Sequence, residues 1–133
     1  MNEFELQIVT PDGLLYDETA TKIILRTTEG DVGILARHSD YVAPLSIGVA
    51  RIFTNDGVKT AACAGGMVSV SEGKVRVVAS TFEWGDNIDI ERAKRARDRA
   101  QQRIDSHSSD YELRLAEMKL KKSLARLHAS GIG

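Results

Sequence analysis

Seven basic side chains near the C-terminus recur at helical spacing, and they are the first candidates for chemistry. Arg92, Arg95, Arg99 and Arg103 step by three, four and four residues, and Lys119, Lys122 and Arg126 step by three and four. On a helix such residues share one face. Each set is either a solvated polar face or, because guanidinium groups present paired donors, a receptor for phosphates or carboxylates.

Bond-breaking chemistry has no comparable candidate. There is no G-x-x-x-x-G-K-[ST]: Asp56-Gly57-Val58-Lys59-Thr60 has a Lys-Thr pair but lacks the first glycine and its loop. There is no G-x-S-x-G elbow. His38, His107 and His128 show no ligand spacing with one another or with Cys63, so no metal site is expected. Acidic pairs such as Asp17-Glu18 lie in turn-like surroundings and read as solvated. Cys63, the single cysteine, lies between Ala62 and Ala64 in a strand-like stretch. It reads as a small buried apolar residue or as a reactive thiol. One cysteine excludes an internal disulfide and fits a reducing compartment. No catalytic residue is expected.

The elements that carry these residues fall into two periods. In the front half Phe4, Leu6 and Ile8 alternate with Glu5, Gln7 and Val9. Val68 and Val70, then Val75 and Val77, continue the alternation around Ser71-Glu72-Gly73. Turn signals recur at Pro11-Asp12-Gly13, Glu29-Gly30-Asp31, Asn55-Asp56-Gly57 and Gly65-Gly66. Many short strands at close intervals point to a sandwich or barrel. The pattern changes near Glu83-Trp84-Gly85-Asp86-Asn87. From Asp89 to Ile104 there is no Gly or Pro, and helix formers dominate. Asp86 or Asn87 is the expected cap of this helix. Ser106–Ser109 breaks it, and Ser109 with Glu112 forms a capping-box signature for a second helix running to about Ala129 and stopping at Gly131. Ala93, Ala96, Ala100 and Ile104 form an apolar seam on the first helix, and Leu113, Ala116, Leu120, Leu124 and Leu127 one on the second. The short connection makes the helices antiparallel neighbours. An alanine seam buries little area, so the hairpin is expected to be modestly stable and able to leave its docking place. The division falls at residues 1–86, a β-sandwich, and 87–133, a helical hairpin.

Bulk properties set the setting. The 133 residues are 42% apolar and 28% charged, with a net charge of −1, an ordinary soluble composition. That charge conceals an asymmetry. Residues 1–86 carry 7 Lys/Arg against 12 Asp/Glu, and residues 87–133 carry 11 against 7, for net charges of −5 and +4. A basic tail on an acidic front suggests that the tail meets something negative. No apolar run reaches the roughly 18 residues of a membrane span. The opening Met1-Asn2-Glu3-Phe4-Glu5 does not look like a signal peptide, so a cytosolic, bacterial protein is expected. A pI near 6.3 and only 7 aromatics, of which Tyr111 alone is in the tail, weigh against nucleic-acid binding.

Several stretches together resemble one family. Ile8-Val9-Thr10-Pro11-Asp12-Gly13 followed by Tyr16 resembles the opening of the epsilon subunits of F-type ATP synthases. Glu29-Gly30-Asp31-Val32-Gly33-Ile34-Leu35 with His38, then Val42-Ala43-Pro44-Leu45 and Gly65-Gly66, are similar to its later loops. Ile88-Asp89-Ile90-Glu91-Arg92-Ala93 resembles the nucleotide motif of its bacterial members. The resemblance covers nearly the whole chain and rests on the order and spacing of motifs that are individually weak.

It implies a ten-stranded β-sandwich followed by an antiparallel two-helix domain, in a non-catalytic rotor subunit on the cytoplasmic face of the bacterial membrane. The implied partners are the gamma subunit, the ring of c subunits (through the loop around Asp31, His38 and Val42) and, with the hairpin extended, the alpha and beta subunits of the catalytic head. The membrane is touched only through the complex. The extended hairpin would hinder ATP hydrolysis, and ATP would be a regulatory ligand of the folded-back hairpin rather than a required cofactor. The implied ATP site comprises Glu83, Ile88, Asp89, Arg92, Ala93, Arg99, Lys122 and Arg126. Here Arg92, Arg99 and Arg126 would hold phosphates, Glu83 would accept from adenine, and Asp89 would orient Arg92 or accept from adenine or ribose. Lys122 departs from the arginine of nucleotide-binding relatives, and Ala36-Arg37 departs from their commoner Pro-Gly. Two alternatives stand beside this reading: a stand-alone ATP-sensing module of the same fold, and a nucleic-acid-binding protein using the basic hairpin.

Overall fold

The computed structural model describes residues 2–132; Met1 and Gly133, the outermost residues of the two expected domains, lie outside the described residues. Eight strands precede two helices: β1 Phe4–Thr10, β2 Gly13–Ala20, β3 Lys22–Thr27, β4 Gly30–Leu35, β5 Tyr41–Pro44, β6 Gly48–Thr54, β7 Gly57–Ser71, β8 Lys74–Trp84, α1 Ile90–Asp105 and α2 Asp110–Ala129. They join in the order β2-β1-β8-β7-β6-β3-β4, with β5 paired to β7. Every pairing is antiparallel except β1 with β8.

Three of the hairpins use one local device. Thr10, Thr27 and Thr54 end their strands, and each hydroxyl accepts the backbone N–H two residues on, at 3.1–3.2 Å. The residue three positions on is Gly13, Gly30 or Gly57, in a positive-φ conformation that glycine adopts without a steric cost. A T-x-x-G spacing therefore fixes each reversal.

The strand count is eight rather than ten because β7 and β8 are long enough to serve both layers. The first half of β7 pairs with β6, from Thr54↔Gly57 to Gly48↔Cys63, and its second half pairs with β5, from Pro44↔Met67 to Tyr41↔Val70. Between them stand Gly65 and Gly66, with φ of 74° and 111°. A Cβ at Gly66 would run into the Val78 carbonyl of the neighbouring strand. One chain thus turns from layer to layer where a larger residue would have ended the strand.

Leu6, Ile8, Val68 and Val77, part of the alternating set read from the sequence, are fully buried, and Ile23, Leu25, Ile34 and Ile52 join them in the sandwich core. Cys63 joins this cluster, and burial pushes its thiol up to about 12. It is an apolar core residue with no thiolate to react at neutral pH.

Beyond β8, Gly85–Asn87 forms a single 3-10 turn. That turn uses the two residues expected to cap α1, and the cap is Asp89, whose Oδ1 accepts from the Arg92 N–H at 3.1 Å. At α2 the Ser109 hydroxyl accepts from the Glu112 N–H at 3.2 Å. The Glu112 carboxylate reaches back to the hydroxyl and N–H of Ser108, one residue earlier than in a standard capping box. Gly131, at φ 89°, follows the end of α2.

α2 lies between α1 on one side and β6 and β7 on the other. A second buried cluster marks this seam: Ala62, Ile88, Ala93, Ala125, Leu127 and Ala129, with Ile47, Val49 and Ile90 packed against it. The single stripe read on α2 is therefore only part of what is buried. Ala116 and Leu127 belong to it and share a face with Ser123, whereas Ala125 and Ala129 lie on another face.

Candidate functional site

The basic side chains gather in the cleft between the helices. Arg99 and Arg103 from α1, with Lys119, Lys122 and Arg126 from α2, line a groove of about 430 Å³ floored by Ala96, Ala100 and Ser123. The small floor residues let the helix axes approach, which brings the two basic stripes face to face. Only Arg126 among these five has a carboxylate partner among the described residues. Each like-charged neighbour costs a few tenths of a kcal/mol or more at such spacing, so the groove is a cation cluster in which Arg126 alone is paired with a carboxylate.

A second cavity of about 230 Å³ opens at the root of the groove and shares Lys122 and Arg126 with it. Its other walls are Ile47, Ala62, Cys63, Ala64, Thr81, Glu83 and Ala125. Glu83 and Arg126 meet there in a bidentate pair, Nε to Oε1 at 2.8 Å and Nη2 to Oε2 at 3.2 Å. An apolar recess with one carboxylate, continuous with a polybasic groove, suits a ligand with a flat apolar part and a polyanionic tail.

The expected ATP-site residues divide accordingly. Glu83, Arg99, Lys122 and Arg126 come together at these two cavities. Ile88 and Ala93 are buried in the seam beneath α2 and shape it without an exposed surface of their own. Asp89 spends one carboxylate oxygen on the helix cap. Arg92 is exposed and lines neither cavity. Arg103 and Lys119 belong to the helical stripes but not to the expected site, and the groove includes both. Ile47, Ala64 and Thr81 carry no local signal, because what makes them a wall is α2, which comes far later in the chain.

The expected ring-facing residues lie on β4, in the loop after it and on β5. Asp31 stands at the start of β4 and pairs with Arg26 at 2.9 Å, beside the cleft that α2 closes with Lys121 and His128. His38 and Val42 follow the other end of β4. His38 Nδ1 lies 2.7 Å from the Ser39 carbonyl, and its ring meets Tyr41 edge-on at 5.7 Å. Val42 is 65% exposed. Arg37 turns this loop at φ 64°, a left-handed conformation that a non-glycine residue adopts at a cost.

One further surface emerges from the strand register. Pro44, Met67, Val78, Val9 and Leu14 are successive partners across β5, β7, β8, β1 and β2. Leu14, Met67 and Val78 are 58%, 43% and 46% exposed. The row crosses the outer face of the sheet as a line of apolar side chains, and it is not visible in the sequence because its members come from five strands.

The family profile described as ATP synthase, Delta/Epsilon chain, beta-sandwich domain matches residues 3–85, and that described as ATP synthase, Delta/Epsilon chain, long alpha-helix domain matches residues 86–131. The chain is 37% identical over 131 residues to the ATP synthase epsilon chain of Bacillus pumilus, covering 98% of this chain and 99% of that one. It is 39% identical over 128 residues to the ATP synthase epsilon chain of Syntrophomonas wolfei, covering 96% and 93%. A chain in the Euglena gracilis mitochondrial ATP synthase has the same fold, with a TM-score of 0.82 at 24% identity, over 94% of this chain and 79% of that one.

Proposed function

This chain belongs to the delta/epsilon family of ATP synthase subunits, and on that premise we propose that it is a non-catalytic rotor subunit whose helical hairpin is an anion-gated brake on ATP hydrolysis. Its relatives of similar length are ATP synthase epsilon chains, a non-catalytic part of a membrane complex. No helix among the described residues is long and apolar enough to cross a membrane, which is consistent with a peripheral subunit, here assigned to the cytoplasmic face of the bacterial membrane.

The sandwich binds the gamma subunit and rests on the ring of c subunits. The apolar row from Pro44 to Leu14 supports a protein partner on the outer sheet face, since exposed apolar lines of this length mark contact surfaces. Asp31, His38 and Val42 are the ring-facing candidates, on and beyond β4. The hairpin, when extended, lays its basic stripes against acidic groups of the alpha and beta subunits and hinders hydrolysis.

The groove between the helices is the observation that carries the gating. Docking the hairpin brings five basic side chains together with one carboxylate between them. That arrangement is self-repulsive until an anion enters. ATP supplies several negative charges for Arg99, Arg103, Lys119, Lys122 and Arg126, and an adenine for the adjoining recess near Glu83. A ligand that occupies only the docked state shifts the hairpin toward docking by its differential affinity for the two states.

Calorimetric titration of the full chain with ATP tests this. Saturable binding that Arg99→Ala weakens tenfold or more supports the gate, and Lys122→Arg is expected to tighten it by replacing a point charge with a planar fork. Flat calorimetry removes nucleotide control and leaves the rotor role. Tight ATP binding by a chain that fails to associate with gamma would favour the stand-alone ATP-sensing module.

A further inference from the structure

The C-terminal end of α2 meets the sandwich at one main-chain atom. The last carbonyls of a helix have no intrahelical donor, and the Ala129 oxygen finds one across 69 residues of sequence: the Thr60 hydroxyl of β7, which donates to it at 2.6 Å. Gly85, the first residue of the 3-10 turn, closes the other side. A Cβ built on Gly85 would collide with the Ala129 carbonyl oxygen and would stand 2.9 Å from both its carbon and Thr60 Oγ1.

The backbone of Gly85 is not in the left-handed region. Glycine is needed there for space and not for conformation. This separates it from Gly66, whose positive φ and close approach to Val78 belong to the sheet itself. The main-chain obstacle to a side chain at 85 is present only while α2 is docked, since the other close atom, the Thr60 hydroxyl, is a side-chain end that can rotate away. The adjacent Trp84 is wedged against Phe82 and Tyr16 at 5.3 and 6.0 Å, so the turn cannot easily retreat to make room.

We infer that Thr60, Gly85 and the Ala129 carbonyl form a latch for the docked hairpin, separate from the anion groove. The inference rests on the proposed switching of the hairpin. The latch lies one turn beyond the Glu83–Arg126 pair and holds α2 through main chain, whatever side chains α2 carries. On release, the hydroxyl and the carbonyl both return to water, so the latch contributes a small, reversible bias toward docking.

Hydrogen exchange on the full chain tests it, comparing the wild type with Thr60→Val, Thr60→Ser and Gly85→Ala. Amides of residues 120–130 are expected to exchange about fivefold faster in Thr60→Val, the size of one net hydrogen bond, and more than about tenfold faster in Gly85→Ala, where docking itself is blocked. Thr60→Ser restores the wild-type rate, and the strands β1–β8 keep their protection. Wild-type rates in both Thr60→Val and Gly85→Ala overturn the latch. If Gly85→Ala exposes the strands as well, Thr60→Val and Thr60→Ser decide, and equal rates in those two overturn it. ATP hydrolysis by the assembled complex separates this from the switching. Faster α2 exchange with unchanged hydrolysis keeps the latch and removes the brake, whereas unchanged α2 exchange removes the latch whatever hydrolysis does.

Discussion

Truncating Leu127 measures how the hairpin is held. Leu127 is 2% exposed and clusters with Ala62, Ile88, Ala93, Ala125 and Ala129. Four of those five neighbours are alanines, so Leu127 and Ile88 supply most of the apolar area in that cluster. Burying a leucine fully is worth about 1.5–3 kcal/mol, and Leu→Ala truncations cost about 2–5 kcal/mol. A docked helix can settle toward the strands more freely than a core strand can, so the lower part of that range applies, about 2–3 kcal/mol. Leu127→Ala should therefore raise the open population of α2 roughly 30- to 150-fold. The sandwich core is a separate cluster built on Leu6, Ile8, Ile23 and Ile52, and its amides should keep their protection. Native-state hydrogen exchange on the full chain reads both regions at once. A change in α2 below about fivefold would mean that docking does not depend on this seam. An equal rise in the strand amides would mean that hairpin and sandwich open as one unit, and either result refutes the reasoning.

Arg37→Gly should stabilise the sandwich by about 1 kcal/mol, since φ 64° suits glycine and strains arginine; thermal melting checks it, and no gain would show that the Arg37 side chain compensates. Glu83→Gln should loosen α2 by about 0.5–1 kcal/mol, a discounted value because Arg126 and Glu83 are 26% and 38% exposed. Its effect on α2 exchange should shrink in 1 M salt, and a salt-independent effect would assign the loss to packing. The Glu112 carboxyl is held below its ordinary range, first by the Ser108 hydroxyl and then by the Ser108 N–H. A depressed folded-state pKa stabilises above the unfolded value and is lost as pH falls through the folded one. The first turn of α2 should thus fray below the ordinary carboxylate range, visible as amide shifts at residues 108–113 that Glu112→Ala abolishes, and a pH-independent turn would contradict the assignment.

The fold class, a β-sandwich followed by two helices, was legible in the sequence for a local reason. Strand alternation at Phe4, Leu6 and Ile8, helix formers from Asp89 onward, and the Ser109 cap each act within a few residues. The T-x-x-G reversals likewise need only a hydroxyl, an N–H and a glycine three positions apart. Less local matters came out differently. Ten strands became eight because Gly65 and Gly66 carry β7 through a turn without ending it. The α1 cap moved to Asp89 because a 3-10 turn used Asp86 and Asn87 first.

The candidate site shows the same division. Residue type and helical spacing by themselves determined that two basic stripes exist and that the seam of the first helix is built largely on alanine. Only the tertiary structure decided which stripe members face each other. Arg99 and Arg103 enter the groove and Arg92 does not, because Arg92 shares their face but sits in the first turn of α1, outside the stretch that α2 meets across the groove. Only the tertiary structure could pair Glu83 with Arg126, line up Pro44 with Leu14 across five strands, or bring the Ala129 carbonyl to Thr60 and Gly85. A helix face is written in the chain within four residues, whereas a contact between elements depends on how each is rotated and shifted against the next, which the packing of all of them settles together.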